Sequence, residues 1–296
     1  MHTLTLALAL AAALHGDSTL AARIRARIAQ VPGAQVGVAF RWPHHRDSLY
    51  LDADSSFHAA STMKVPVMIE LFRQTDAGEL PLDQRILLVN RFGSIVDGSP
   101  YALDPGDDSD SAMYALVGHR VPVHALMTHM IDRSSNLATN ALIALVGAGR
   151  TTAAMRELGA MRIEVLRGVE DLEAYHRGLD NTTTARDLAI IMQAIQDDRA
   201  ASPTSCATMR DILLHQDFND EIPAGLPPGT PVAHKTGWIT AHLHDAAVVY
   251  PRGADPYVLV VLTRGIADVT VARALIRDIS RMVYQHVMAS GSATAH

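Results

Sequence analysis

The sequence predicts an α/β (α+β) fold: an antiparallel sheet formed by both chain ends and flanked by helices, with an all-helical block inserted between them. Three observations predict it. Strand patterning occurs early, at Gln35–Phe40 and Ser48–Leu51. From Ser61 to about Ser202 the apolar residues recur at helical spacing. After Pro227-Pro228-Gly229 strand patterning returns in three successive runs. The expected division is an α/β subdomain from 17–58 and 205–296 and a helical subdomain from 59–204. A ligand site belongs at their seam.

Asp17-Ser18 is a capping signal for a helix through Ile28, with Leu20, Ile24 and Ile28 on one face. Pro32-Gly33 ends that helix, and the two early strands pair as a hairpin. Helices are expected near 62–76, 122–131, 136–147, 151–158 and 184–196. Met127, Met130 and the Leu/Ile stripes at helical spacing are core. Val89 to Gly118 is rich in Gly, Pro, Asp and Ser and reads as a long surface excursion. The late strands are Thr230–Trp238, Leu243–Tyr250 and Tyr257–Thr263. Val258-Leu259-Val260-Val261-Leu262 is apolar at every position, so both faces of that strand should be covered. A closing helix from Ala267 to Met288 can cover one of them.

With 296 residues, the chain can bury a large core, and 48% apolar residues place it among globular proteins. A net charge of −6 gives no support to nucleic-acid or anionic-membrane binding. Cys206 is the single cysteine, which excludes an internal disulfide. Leu4 to Leu14 is an apolar run too short to span a bilayer, and Ala11-Ala12-Ala13 offers a small-residue cleavage site. Residues 1–16 are therefore expected to be a signal peptide and the protein exported, periplasmic or secreted.

Only two of the 25 Lys and Arg residues are lysine, Lys64 and Lys235. Lys is a compact amine that can lose its proton when desolvated, whereas Arg stays charged. Lys64 closes Ser61-Thr62-Met63-Lys64. If Ser61 opens a helix, the Lys64 amine can reach back to the Ser61 hydroxyl, and a neighbouring amine can turn serine into a nucleophile. Lys235 lies in His234-Lys235-Thr236-Gly237 on the first late strand, where Lys235 and Thr236 can bind a carboxylate and Gly237 lets a ligand approach the backbone. Ser134-Ser135-Asn136 sits on a turn between two expected helices. Taken singly, each motif also reads as a helix cap or a solvated lysine.

In this order and at these distances, S-x-x-K, S-x-N and K-T-G resemble the penicillin-recognising serine hydrolases, and within them the class A β-lactamases. The resemblance runs from the Val36 strand to the closing helix and includes the Asn181-Thr182-Thr183-Thr184 exit from the family's omega loop. It implies that Ser61 attacks the lactam carbonyl and forms an acyl-enzyme. The backbone N–H groups of Ser61 and Trp238 would make the oxyanion hole. Lys64 would assist Ser61, Ser134 would relay a proton to the leaving nitrogen, and Asn136 would hold the substrate's amide side chain. Lys235 and Thr236 would take its carboxylate, beside Gly237. Glu170 would activate the water that hydrolyses the acyl-enzyme. The implied partner is a small-molecule β-lactam, with no nucleic acid, no membrane integration after signal removal, no cofactor and no metal, acting on a monomer.

The chain departs from the family pattern at definite places. Ser135 stands where class A has Asp. One extra residue separates Arg167 from Glu170, and Ala174 replaces an Asn that helps to position the water. Glu173 is thus a rival for the general-base role, and Arg167 is open as a partner for Asp180 at the loop neck. The family's arginine on the strand after K-T-G has no match, leaving His242 or His244 as substitutes. The 89–118 excursion has no assigned role. The alternative function is a D,D-peptidase-like serine acyl-hydrolase of the same fold, followed by a non-enzymatic β-lactam sensor. A zinc hydrolase built on His242 and His244 is disfavoured, because Asp245 faces the other way and His119, His124 and His129 do not share a helical face.

Overall fold

The computed structural model describes residues 19–293. The expected signal peptide and the Asp17-Ser18 cap lie outside them. Helix α1 (Leu20–Ala29) is capped by Thr19, whose hydroxyl accepts from the Ala22 N–H.

Strands β1 (Gln35–Trp42), β2 (Asp47–Leu51), β3 (Val232–Ile239), β4 (His242–Val249) and β5 (Tyr257–Arg264) form one antiparallel sheet in the order β2-β1-β5-β4-β3. The two chain ends meet at its centre, where Val38 pairs with Val261. Alternation along β5 explains its unbroken apolar run. Val258, Val260 and Leu262 face the core under the inserted helices, while Tyr257, Leu259 and Val261 face a second core beneath α1 and α9 (Val269–Ala293). Each such buried aliphatic side chain contributes roughly 1.5–3 kcal/mol. β3 is an edge strand of the sheet, yet Val232–Gly237 are buried along it.

The inserted helices are α2 (Lys64–Asp76), α3 (Val123–Asp132), α4 (Asn136–Val146), α5 (Ala148–Glu157), α6 (Leu172–His176), α7 (Ala185–Gln196) and α8 (Pro203–Leu214). α2 is the buried axis of this block, with Val65, Val67, Met68, Ile69 and Leu71 wholly enclosed. Pro66 is tolerated because it falls in the first turn, where no ladder donor is required. The sequence reading missed α8, although Ser202 caps it through the Ser205 N–H and Pro203 opens it. It also missed the single turn α6, which is too short to show a period.

Candidate active site

Ser61 does not open an α-helix. It lies in a 3-10 turn, Ala60–Met63, that precedes α2. Phe57–His58 pairs with Thr182–Thr183, and His58 Nδ1 accepts the Ala60 N–H at 3.0 Å. Ala60 is thereby held at φ 46. Across from the turn, Gly237 approaches so closely that a Cβ there would lie 2.8 Å from the Ser61 nitrogen and 3.0 Å from that of Thr62. The edge of β3 and the Ser61 backbone are thus in direct apposition.

Lys64 corrects one expectation. Its amine does not bond the Ser61 hydroxyl. It donates to Ser134 O at 2.6 Å, Ser134 Oγ at 3.1 Å and Asn136 Oδ1 at 3.0 Å. The side chain is fully buried, and these three oxygens are the acceptors that satisfy it. Burial and the nearby charge of Lys235 hold the Lys64 amine well below its usual value, against the opposing pull of Asp108 and Glu170.

The turn between α3 and α4 carries Ser134 at φ 57, which aims its hydroxyl at both lysines. Lys235, also fully buried, donates to Ser134 Oγ at 3.1 Å and to Thr236 O at 3.0 Å. Burial draws its amine down to about 7, opposed by the carboxylates of Asp245, Asp132 and Glu221. Asp245 is itself fixed on the α9 side of the sheet, accepting from Ile222 N at 3.0 Å and pairing with His234 Nδ1 at 3.0 Å.

Asn136 spans the site. Its Oδ1 takes the Lys64 donor and its Nδ2 donates to Glu170 Oε1 at 2.9 Å. Glu170 has φ 62, a left-handed conformation held by the loop around it. Asn140 donates to Val169 O and accepts from Val169 N. Arg167 closes the neck, bonding Asp180 Oδ1 at 2.8 Å, Leu179 O at 2.8 Å and Gly168 O at 3.1 Å. Burial raises the Glu170 carboxyl, and the Asn136 bond and Lys64 partly offset that rise.

Glu173, the rival acid, is on the surface of α6 and pairs with Arg177 at 3.2 Å. Ala174 is buried, its N–H taken by Asp171 Oδ1. His244 cannot replace the missing arginine: it is fully buried, its Nδ1 accepting from Thr263 N and its Nε2 donating to His58 O. Burial depresses it to about 4, which keeps the ring neutral. His242 is only half-buried, with Nδ1 against Thr240 O at 2.9 Å. Trp238, next on β3, is largely exposed at the rim.

The sequence reading missed Asp108. From the excursion, this buried carboxylate accepts from the Asn136 and Leu137 N–H groups, each at 2.9 Å. Nothing in its local sequence marks it, because its partners lie more than a helix away. The excursion also holds the omega loop: Ser94 Oγ and Ile95 N donate to Asp171 at 2.8 and 2.9 Å.

Among the described residues, no helix is long and apolar enough to cross a membrane. A sequence profile described as the Beta-lactamase enzyme family matches residues 19–287. The extended-spectrum β-lactamase PER-1 of Pseudomonas aeruginosa is 24% identical over 274 residues, covering 88% of this chain and 85% of that protein. The solved structure of PBP-A superposes with a TM-score of 0.78 at 28% identity, covering 91% of this chain and 96% of that one. A β-lactamase from Sphaerobacter thermophilus gives a TM-score of 0.74 at 27% identity, covering 92% and 98%. The match of this profile across the sheet, the inserted helices and all the motif residues means that the chain belongs to the beta-lactamase enzyme family.

Proposed function

We propose that the protein hydrolyses the amide of a β-lactam through an acyl-enzyme on Ser61, with water-mediated deacylation by Glu170. The observation that carries this reading is the convergence of both lysines on Ser134 Oγ, with Asn136 linking Lys64 to Glu170.

The substrate carboxylate is taken by Lys235 and Thr236, which sets the lactam carbonyl against Ser61. The backbone N–H groups of Ser61 and Trp238 receive the developing oxyanion, a role supported by the close approach of Gly237 to the Ser61 backbone. A hydroxyl both donates and accepts. A neutral Lys64 amine therefore keeps its donor bonds to Ser134 O and Asn136 Oδ1 while accepting from Ser134 O–H. For the transfer the neutral Lys64 amine turns its lone pair from Ser134 to Ser61 and takes the Ser61 proton. It returns one to Ser134 as Ser134 gives its own to the leaving lactam nitrogen. Glu170, raised by burial, then removes a proton from the water that attacks the ester. Asn136 Nδ2 is the donor that holds the Glu170 carboxylate in place.

A second reading has a specific observation behind it. Ala174 leaves Glu170 without the amide that the family pattern places near the water, which favours a slowly deacylating enzyme of the D,D-peptidase type. A PBP-A mutant has been solved as an acyl-enzyme complex with penicillin G, and this chain resembles that protein closely in fold. Intact-protein mass spectrometry during turnover of a chromogenic cephalosporin separates the two. Repeated turnover with a decaying adduct, lost in Ser61→Ala, supports the lactamase. A stable stoichiometric adduct in the unmutated protein favours the peptidase, and no adduct at all removes both. Action as an exported monomer is part of the same proposal, with the apolar run Leu4–Leu14 as the support for export.

A further inference from the structure

The 89–118 excursion places Asp108 at the start of α4, in contact with the residues on which the proposed acyl transfer depends. Its Oδ2 accepts from Asn136 N, Leu137 N and, at 3.2 Å, Tyr114 Oη, while Oδ1 accepts from Asp110 N at 3.0 Å. All four donors are neutral. Ser135 caps the same helix one position later, accepting from Ala138 N at 3.2 Å. Side chains thus satisfy three of the first four N–H groups of α4, two of them through a residue from outside the local sequence, and the fourth, Thr139 N, donates to Ser135 O. Asp108 also suits the partial positive charge of the helix start. Its neighbour Ser109 donates to Arg133 O at 2.7 Å and to Ser134 O at 3.3 Å, so the excursion grips the turn on both sides of Ser134.

We propose that Asp108 is a positioning residue of this active site: it supplies from the excursion the carboxylate that position 135 lacks, and fixes Asn136 between Lys64 and Glu170. Asn136 has no slack to give. One end of its amide accepts from Lys64 and the other donates to Glu170, so a shift of its backbone breaks one bond or the other. This inference rests on the acyl-transfer reading of Ser61. It adds that the excursion completes the site.

The charge of Asp108 has a separate, readable effect. Lys64 is faced by Lys235, Asp108 and Glu170, and Glu170 by Asp107, Asp108 and Lys64. Asp108 favours the protonated form of both groups, so its neutralisation lowers both.

The test follows Ser61 acylation by penicillin and its decay, by time-resolved mass spectrometry across pH. It compares the unmutated protein with Asp108→Asn, Asp108→Ala, Ser135→Asp and the Asp108→Ala/Ser135→Asp double variant, each checked for folding by circular dichroism and melting temperature. Asp108→Ala is expected to slow acylation about 10²-fold, the cost of misplacing a reacting group by about an ångström. Asp108→Asn keeps an acceptor oxygen and nearly the same shape, and it should move the acidic limb of deacylation to lower pH. The double variant should recover acylation to within about tenfold of the unmutated rate. Unchanged rates and pH profile in Asp108→Asn and Asp108→Ala overturn the inference. A loss in Asp108→Ala with no recovery in the double variant and no movement of the limb in Asp108→Asn also overturns it, leaving only a folding role. If Asp108→Ala does not fold, the pH limb of Asp108→Asn decides. Absence of a Ser61 adduct in the unmutated protein is a different failure, since it removes the acyl-transfer reading itself before any Asp108 variant is compared.

Discussion

Lys64 and Lys235 share one acceptor: Ser134 Oγ lies 3.1 Å from each Nζ. Both amines are fully buried, and like charges so close disfavour double protonation. Lys235, drawn down to about 7, binds a carboxylate only when protonated. For a β-lactam with a free carboxylate, kcat/KM should therefore fall as pH rises above about 7, chiefly through KM. The methyl ester of the same substrate should lack that limb. An equal decline for acid and ester would show that Lys235 does not read the carboxylate. The same depression affects folding. Between about 7 and the ordinary lysine value of 10.5 the unfolded chain holds more protons at this site, so the Lys235 contribution to stability rises with pH across that window.

Removal of the Glu170 carboxylate should spare acylation more than deacylation. Glu170→Ala is expected to accumulate the acyl adduct and lower kcat by about 10²–10⁴-fold, the usual contribution of a positioned acid or base. Glu173→Ala, which removes a surface carboxylate paired with Arg177, should leave the rate near that of the unmutated protein. Adduct accumulation in Glu173→Ala instead of Glu170→Ala would reverse the assignment.

Gly237→Ala places a methyl group 2.8 Å from the Ser61 nitrogen, where backbone and not a flexible side-chain end must give way. Acylation should fall by at least about 10²-fold, as for loss of an oxyanion donor. Stopped-flow acylation measures it, and a rate within about threefold of the unmutated protein would mean that the nucleophile turn yields freely.

Arg167→Ala should open the neck of the omega loop. The guanidinium is nearly buried and holds Asp180, Leu179 and Gly168, so its loss should cost about 2 kcal/mol and loosen the loop before the sheet. Hydrogen exchange is expected to accelerate across 167–181 and remain unchanged in β5. Uniform acceleration would place Arg167 in the global fold instead.

His244 sets an acid limit. Its folded value of about 4 lies below the ordinary 6.5, so unfolding takes up a proton between those values, and stability falls as pH drops through that window. The full contribution is about 3 kcal/mol, since each tenfold change in proton affinity is worth about 1.4 kcal/mol. Denaturant titrations from pH 7 to 4 should show this loss reduced in His244→Gln, which can still accept from Thr263 and donate to His58. An unaltered slope would assign the acid sensitivity elsewhere.

The sheet is legible in the sequence because its strands differ from everything around them. Val258–Leu262 is apolar throughout, and the structure covers it on both faces. Ser61, Lys64, Ser134, Asn136 and Lys235 are legible as motifs, and the structure gathers both lysines, Ser134 and Asn136 into one set of hydrogen bonds beside the Ser61 turn. Their bonding is less so. Helical spacing points Lys64 at Ser61, but it says nothing of the acceptors that a distant turn offers. Asp108 is illegible for the same reason: an aspartate in a Gly- and Asp-rich stretch looks solvated until the helix start it caps is seen beside it. His244, open in the sequence as a substitute for arginine, faces the interior because its strand neighbours set its side.

The pairing of Val38 with Val261 bears on how the molecule comes to exist. During synthesis, β1 has only β2 as a strand partner until almost the whole chain has left the ribosome. At about 5–20 residues per second, that wait is on the order of tens of seconds. Over this interval Val36, Val38 and Phe40, all destined for the interior, lack the late strands and the closing helix that complete their core. The apposition of Gly237 with Ser61 likewise joins an early turn to a late strand, so it cannot form before β3 has been made. A chain cut short before β3 therefore carries Ser61 without the strand that faces it.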